Sequence, residues 1–130
     1  MNKVFLGGTC NGSTWRDRLI KMLKIGYFQP QGKEWTADMM QEEKVQREKC
    51  DFCLYVVTPK MTGFYSVAEV VDDSNKRPSK TIFCFLKEDD GETFSDHQMK
   101  SLWQTGRMVK ENGAQFFNTF EEIAEYLNNL

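Results

Sequence analysis

The chain is poor in proline, with 3 in 130 residues, holds one histidine and four cysteines, and carries no excess of either charge sign, its formal net charge being −2. No apolar stretch approaches the roughly 18 residues that a membrane-crossing helix needs. Met1-Asn2-Lys3 passes directly into Val4-Phe5-Leu6, an apolar run too short for the core of a signal peptide. The expectation is a cytoplasmic protein without a membrane partner. A near-neutral balance gives no electrostatic reason to expect a nucleic acid polymer either. Four cysteines in a chain with this much core do not read as a disulfide framework. Cys50 and Cys53 do form a C-x-x-C pair, but a redox pair follows a strand and opens a helix. Here the order is reversed, and no second Cys/His pair stands near enough to complete a zinc site. Both are read as buried structural thiols, with no metal and no cofactor expected. The single histidine, His97, has no serine or cysteine partner recognisable in sequence and reads as a surface residue.

What is present is ordinary globular material, 40% hydrophobic and 28% charged, enough for one domain spanning 1–130 with a proper core. The organising stretch is Cys50 to Val71. Phe52 to Val57 is an unbroken apolar and aromatic run without alternation, which suits a strand covered on both faces. Pro59 ends it, and a helix follows whose first turn is expected to carry Glu69. Around this stretch the chain alternates. Val4 to Leu6 is a strand; Gly7 to Thr14 is a glycine-rich loop; Trp15, Leu19, Met22 and Leu23 form the apolar stripe of a helix ending near Gly26, with Thr14 and Asp17 as a capping box. Tyr27-Phe28 is a second strand, and a loop containing Pro30, Gly32 and Trp35 leads into a polar helix from Ala37 to Cys50. Thr81 to Leu86 is a further buried strand, followed by an acidic, solvated loop over Lys87 to Glu92. Ser95 with Gln98 caps a helix containing Met99, Leu102 and Trp103 that either runs through Gly106 or breaks there. Gln115-Phe116-Phe117 is the last strand, and Thr119 with Glu122 caps a terminal helix that buries Ile123, Tyr126 and Leu127. Five strands alternating with five helices predict an α/β fold, a three-layer sandwich with a five-stranded parallel sheet in the flavodoxin or Rossmann-like order 2-1-3-4-5.

In open parallel sheets ligands bind beyond the carboxyl ends of the strands, which directs attention to the loop from Thr58 to Ser66 and to Glu69. Two readings stand for Glu69. Ser66-Val67-Ala68-Glu69 has the spacing of a capping box, and a helix start also favours an ionised carboxylate able to attack an electrophilic carbon. Glu43 has two readings as well. It shares a helical stripe with Met39, Gln46 and Cys50, while a competing stripe of Gln41, Val45 and Glu48 would turn it to solvent. The loop after the first strand is neither a Walker loop nor a Gly-x-Gly-x-x-Gly fingerprint. It is either a plain turn or a close backbone approach to an anion at a helix start.

The residues Val4-Phe5-Leu6-Gly7-Gly8, the polar helix with Glu43 and Glu48 leading to Asp51, the apolar strand and Glu69 together resemble the nucleoside 2-deoxyribosyltransferase superfamily, including its deoxynucleoside monophosphate N-glycosidases. The similarity covers most of the chain. In that superfamily a carboxylate on the helix before the central strand and a glutamate after the strand form the catalytic pair. Glu43, eight positions before Asp51, and Glu69, eighteen after it, match those places. The resemblance implies that Glu69 attacks the anomeric carbon of a deoxyribose while Glu43 serves the base as acid, a division of labour parallel to that of retaining glycosidases. It implies further that Gly7, Gly8 and Thr9 border the ligand, that Tyr65 and Ser66 belong to the substrate loop, and that Ser13 and Arg16 meet a 5′-phosphate, Arg16 as a solvated helix residue being the other reading. A homo-oligomer with a small-molecule nucleoside or nucleotide as substrate is also implied. The family's small residues before the nucleophile are replaced by Phe64 and Tyr65, rings that either stack on a base or fill the pocket, and Val70 follows Glu69. Two other functions fit the same fold: a TIR-like NAD hydrolase, and a nucleotide-binding or interaction module without chemistry.

Overall fold

The computed structural model describes residues 2–10, 12–30 and 36–130. Along the chain the elements are β1 (Lys3–Gly8), α1 (Trp15–Ile20), β2 (Gly26–Phe28), α2 (Ala37–Lys49), β3 (Phe52–Val57), α3 (Tyr65–Lys76), β4 (Thr81–Phe85), the hairpin arms β5 (Glu88–Asp89) and β6 (Glu92–Thr93), α4 (Asp96–Glu111), β7 (Gln115–Phe117) and α5 (Phe120–Asn128). Asn11 and the loop positions Gly32 and Trp35 lie outside the described residues.

The apolar run of β3 is continuous because both of its faces are covered. Cys53, Tyr55 and Val57 point into one core with Phe5, Phe83, Phe85, Val70, Leu102 and Val109, whereas Leu54 and Val56 point into the other with Trp15, Leu19, Ile82, Ile123 and Leu127. Helices α3 and α4 therefore cover one face of the sheet and α1 and α5 the other, while α2, which buries no residue of its own, is tied to α3 through Arg47. The five long-range strands are parallel in the order β2-β1-β3-β4-β7, the expected 2-1-3-4-5 once the hairpin is set aside. Burying both faces with alternate side chains is what an all-parallel sheet requires. The expected three-layer α/β sandwich is the observed one.

Several local expectations hold and several do not. Ser95 and Thr119 each form a complete capping box, with Gln98 and Glu122 returning the bond. Removing the hydroxyl in Thr119→Ala exposes orphan amides at the start of α5 and should destabilise the protein by about 1 kcal/mol, measured by urea denaturation. Helix α4 runs straight through Gly106, where a Cβ would stand 2.3 Å from the Phe116 ring. Glycine is there to let the helix lie on the sheet. The Thr14–Asp17 box is absent. Thr14 makes no side-chain capping bond, and the Trp15 amide donates instead to Ser13 Oγ at 3.3 Å. Helix α1 is also shorter than its stripe suggested, since the chain turns after Ile20.

The acidic stretch 87–92 is not simply a solvated loop. It is an antiparallel hairpin whose Asp89 is fully buried. The physical reason is a set of partners supplied by other segments: Ser13 Oγ donates to Asp89 Oδ2 at 2.5 Å, and Arg18 Nη2 lies 3.0 Å from Asp89 Oδ1. Beside it, Lys60 Nζ joins the Gly12 carbonyl and Asp90, each at 3.0 Å. The hairpin thus braces the loop after β1. No described helix is long and apolar enough to cross a membrane.

Candidate active site

Strands β1 and β3 end side by side, with Gly8 in register with Val56. The chain leaving β1 stays against β3. The Thr9 amide donates to the Val56 carbonyl at 2.9 Å, and Thr9 Oγ1 accepts from the Thr58 amide at 2.9 Å. Such close backbone contact requires Gly8, which sits at φ +121°, with Val56 O only 1.9 Å from where a Cβ would be. Beyond these strand ends opens a cavity of about 300 Å³, at the lower end of the range for small-molecule sites.

Its floor is Phe5, Gly7, Gly8, Thr9 and Cys10; α1 contributes Arg16; one wall is α2 with Met40, Glu43, Lys44 and Arg47; the other is the 61–66 segment and Glu69. Glu43 faces the cavity, so the stripe shared with Met39 is the inward one. A Cys10 thiol at the rim donates to the Gly8 carbonyl at 3.2 Å. Thr62 and Gly63 complete the mouth, where Phe64 and Tyr65 are 75% and 73% exposed. Tyr65 borders the opening, Phe64 stands outside the lining, and neither ring fills the cavity.

The expected capping box at Ser66 does not form. Helix α3 begins at Tyr65 and is preceded by Phe64, without a side-chain capping bond, so Ser66 already lies within the first turn, and Glu69 lies in the second. From there Glu69 Oε2 reaches across to Arg47 Nη1 at 3.2 Å. The guanidinium in turn gives Nη2 to Asp73 Oδ1 at 2.8 Å, and Asp73, itself fully buried, also accepts from Arg77 Nε at 2.9 Å and Tyr55 Oη at 2.5 Å. The resulting electrostatics differ from group to group. Burial pushes the Glu69 carboxyl up to about 7, aided by Glu43 and Asp73 and opposed by Arg47. Burial also raises Glu43, opposed by Arg16 and Arg47. For Asp73 burial would raise the value, but hydrogen bonds from Arg47, Tyr55 and Arg77 hold it below the usual carboxylate range. Burial disfavours the Arg47 cation, yet Asp73, Tyr55 and Glu69 outweigh that and raise it.

Arg16 is not the solvated residue that one reading of the sequence allowed. It is 8% exposed, giving Nε to the Leu6 carbonyl at 3.0 Å and Nη1 to the Thr9 carbonyl at 2.8 Å. It shapes the loop after β1 and still faces the cavity. Ser13 is not brought to the cavity; its hydroxyl is turned to Asp89. His97 is exposed and distant in sequence from every cavity residue. Cys50 and Cys53 are buried free thiols; Cys53 is pushed up to about 12 by burial, which suits packing and not thiolate chemistry. Among the described residues no group of three or more His, Cys, Asp or Glu could hold a metal ion.

Sequence reasoning missed Arg47 and Asp73. A signal existed: Arg47 stands four residues after Glu43 and Asp73 four after Glu69, each on the same helical face as its carboxylate.

A strand-end cavity in a doubly wound parallel sheet, with two raised carboxylates on facing helices, defines a small-molecule site suited to carboxylate chemistry. The family described as nucleoside 2-deoxyribosyltransferase like matches residues 1–89, and the chain belongs to that family. Its matched part contains every cavity residue, while residues 90–130 complete the sheet and both helical layers. No curated protein matches the chain. Membership implies glycosyl transfer and a nucleoside or nucleotide as the small molecule bound.

Proposed function

We propose that the protein, acting as one domain over residues 1–130, cleaves or transfers the N-glycosidic bond of a nucleoside or nucleoside monophosphate through Glu69. The observation that carries this reading is that Glu43 and Glu69, from different helices on the same face of the sheet, line one cavity. Ionised Glu69 attacks the anomeric carbon as the bond to the base breaks, leaving a glycosyl ester. Glu43 donates a proton to the departing base. In the second step water, or another base, attacks the same carbon, Glu43 takes up its proton, and Glu69 leaves as carboxylate. Such two-step exchange between a nucleophile and an acid/base is the logic of retaining glycosyl transfer.

Gly7, Gly8 and Thr9 would approach the sugar closely, Arg16 would face its 5′ side without Ser13, and Tyr65 and Ser66 would border the substrate at the mouth. The oligomer that the family resemblance implies finds support in α2, which has no fully buried residue, and in the exposed Met40, Phe64 and Tyr65 around the opening. A second copy seated there would narrow the cavity.

The test is a panel of deoxynucleosides, deoxynucleoside monophosphates and NAD incubated with the protein and with Glu69→Ala, base release being followed by chromatography. Release from a deoxyribose substrate that falls by at least about a thousandfold in the variant is expected for loss of a nucleophile. Release only from NAD would instead favour the TIR-like reaction. Binding without turnover would assign a nucleotide-binding module.

A further inference from the structure

Arg47 occupies an unusual position for a surface-helix arginine. Its side chain is 12% exposed and lies between two carboxylates of the same neighbouring helix, with Nη1 3.2 Å from Glu69 and Nη2 2.8 Å from Asp73. The two ends of the fork are not equivalent. Asp73 is fully buried and held from three sides, by Arg47, Arg77 and the Tyr55 hydroxyl, and Tyr55 is itself fixed in the core of the central strand. Glu69 is bonded to Arg47 on one side and faces the cavity on the other. A planar guanidinium whose rear nitrogen is pinned has little freedom in its front nitrogen. The anchored end therefore sets where the positive charge stands relative to the free end.

We propose that Arg47, anchored by Asp73 and through it by Tyr55, is the positioning residue for Glu69, setting a positive charge beside its carboxylate and aiming it into the cavity. The inference deepens the glycosyl-transfer reading and rests on it only for the purpose of the aim. The charge it describes belongs to the free protein. Other charged groups face the same region: Glu43 and Lys44 on α2, Asp72 and Asp73 on α3, Tyr55 on β3 and Arg16 on α1. Glu43 and Asp73 both oppose ionisation of Glu69. Arg16 is committed to the carbonyls of Leu6 and Thr9, and Lys44 sits exposed at the rim. Arg47 is the cation in contact with Glu69 among the described residues. It is the group whose loss the carboxylate would register most directly.

The experiment is a carboxyl-carbon NMR titration of Glu69 in the full-length protein, assigned by the signal lost in Glu69→Gln, and repeated in Arg47→Gln and Arg47→Lys. In Arg47→Gln the Glu69 midpoint should rise by about one pH unit or more, equivalent to a tenfold change in ionisation. Arg47→Lys keeps a charge but cannot serve Asp73 and Glu69 through a planar fork, so its midpoint should fall between the two. If the protein turns over a nucleoside, the ascending limb of its pH profile should move with the midpoint, and activity lost by Arg47→Gln near neutrality should return at alkaline pH. A structural role alone would not give that alkaline recovery. An unchanged Glu69 midpoint in folded Arg47→Gln overturns the inference. Should that variant fail to fold, an unchanged midpoint in Arg47→Lys overturns it equally. A shifted midpoint in a protein that releases no base from any substrate would uphold the positioning of Glu69 and defeat the glycosyl-transfer reading, so the two fail separately.

Discussion

Glu69→Gln should make the folded protein more stable at pH 8, and the gain should vanish at pH 4. The carboxyl is raised from 4.5 to about 7 in the folded state, chiefly by burial, so between those values the native protein holds a proton that the unfolded chain has released. Stability therefore falls as pH rises across that window, is undiminished below about 4.5, and is lowest above about 7. The difference corresponds to about 3 kcal/mol at one pKa unit per 1.36 kcal/mol, and glutamine removes it because it never ionises. Asp73 keeps its bond to Arg47, so the cation is not left alone in the variant. Urea denaturation at pH 4, 6 and 8 checks this: the wild-type midpoint should decline with pH while that of the variant declines less. Equal pH dependence in the two proteins would mean that Glu69 is not held under strain. The proposed nucleophile is thus a carboxylate the fold pays to keep, the expected trade between stability and activity at a working site. The same value places the ascending limb of any turnover near pH 7, since only the ionised carboxylate attacks.

Gly8→Ala should be the most damaging glycine-to-alanine change among the described residues. At φ +121° the added Cβ would lie 1.9 Å from the Val56 carbonyl oxygen, 2.7 Å from Val56 N and 2.7 Å from Val56 C. These are backbone atoms of the central strand, which cannot rotate away as a side-chain tip would. Positive φ is itself costly for alanine. The combined cost should be about 4 kcal/mol, in the range reserved for overpacking and backbone strain. A fall in Tm of roughly 10 °C or more would follow in a domain of this size. Gly63→Ala is the control at the same cavity. Nothing lies within 4 Å of its Cβ, and its stability should change by less than about 0.5 kcal/mol. Thermal denaturation of the two variants side by side distinguishes a specific collision from a general sensitivity of the cavity wall. The collision also reaches the site. Val56 accepts from Thr9, and Thr9 holds the Thr58 amide and anchors Arg16, so displacing one strand end disturbs the floor of the cavity.

Much of this was legible in the residues. The unbroken apolar character of Phe52 to Val57 and the buried-type run from Thr81 to Leu86 marked doubly covered strands, and the alternation of such runs with helical stripes was enough for the parallel order, because a parallel connection requires a crossover on one face or the other. Ser95 with Gln98 and Thr119 with Glu122 were local enough to be read directly, each box lying within four residues of chain. The family resemblance, through the places of Glu43 and Glu69 about Asp51, pointed to two residues that do share a cavity.

Tertiary structure alone decided what those carboxylates touch. Glu69 had the spacing of a cap, yet α3 starts one residue before Ser66, and the side chain turns to Arg47 on a different helix. Asp89 belonged to a stretch that looked solvated, yet Ser13 and Arg18, more than 70 positions away, bury and bind it. Arg47 and Asp73 meet across 26 positions. Periodicity says which residues share a face of one helix; it does not say how two helices are rotated against each other, and a charged side chain chooses its partner by that rotation. The sequence by itself determined the sheet and its order, and the family resemblance named the pair of carboxylates that its own periodicity left open. The packing of α2 against α3 decided that one of them, Glu69, would be buried against an arginine that is itself bound to the fully buried Asp73.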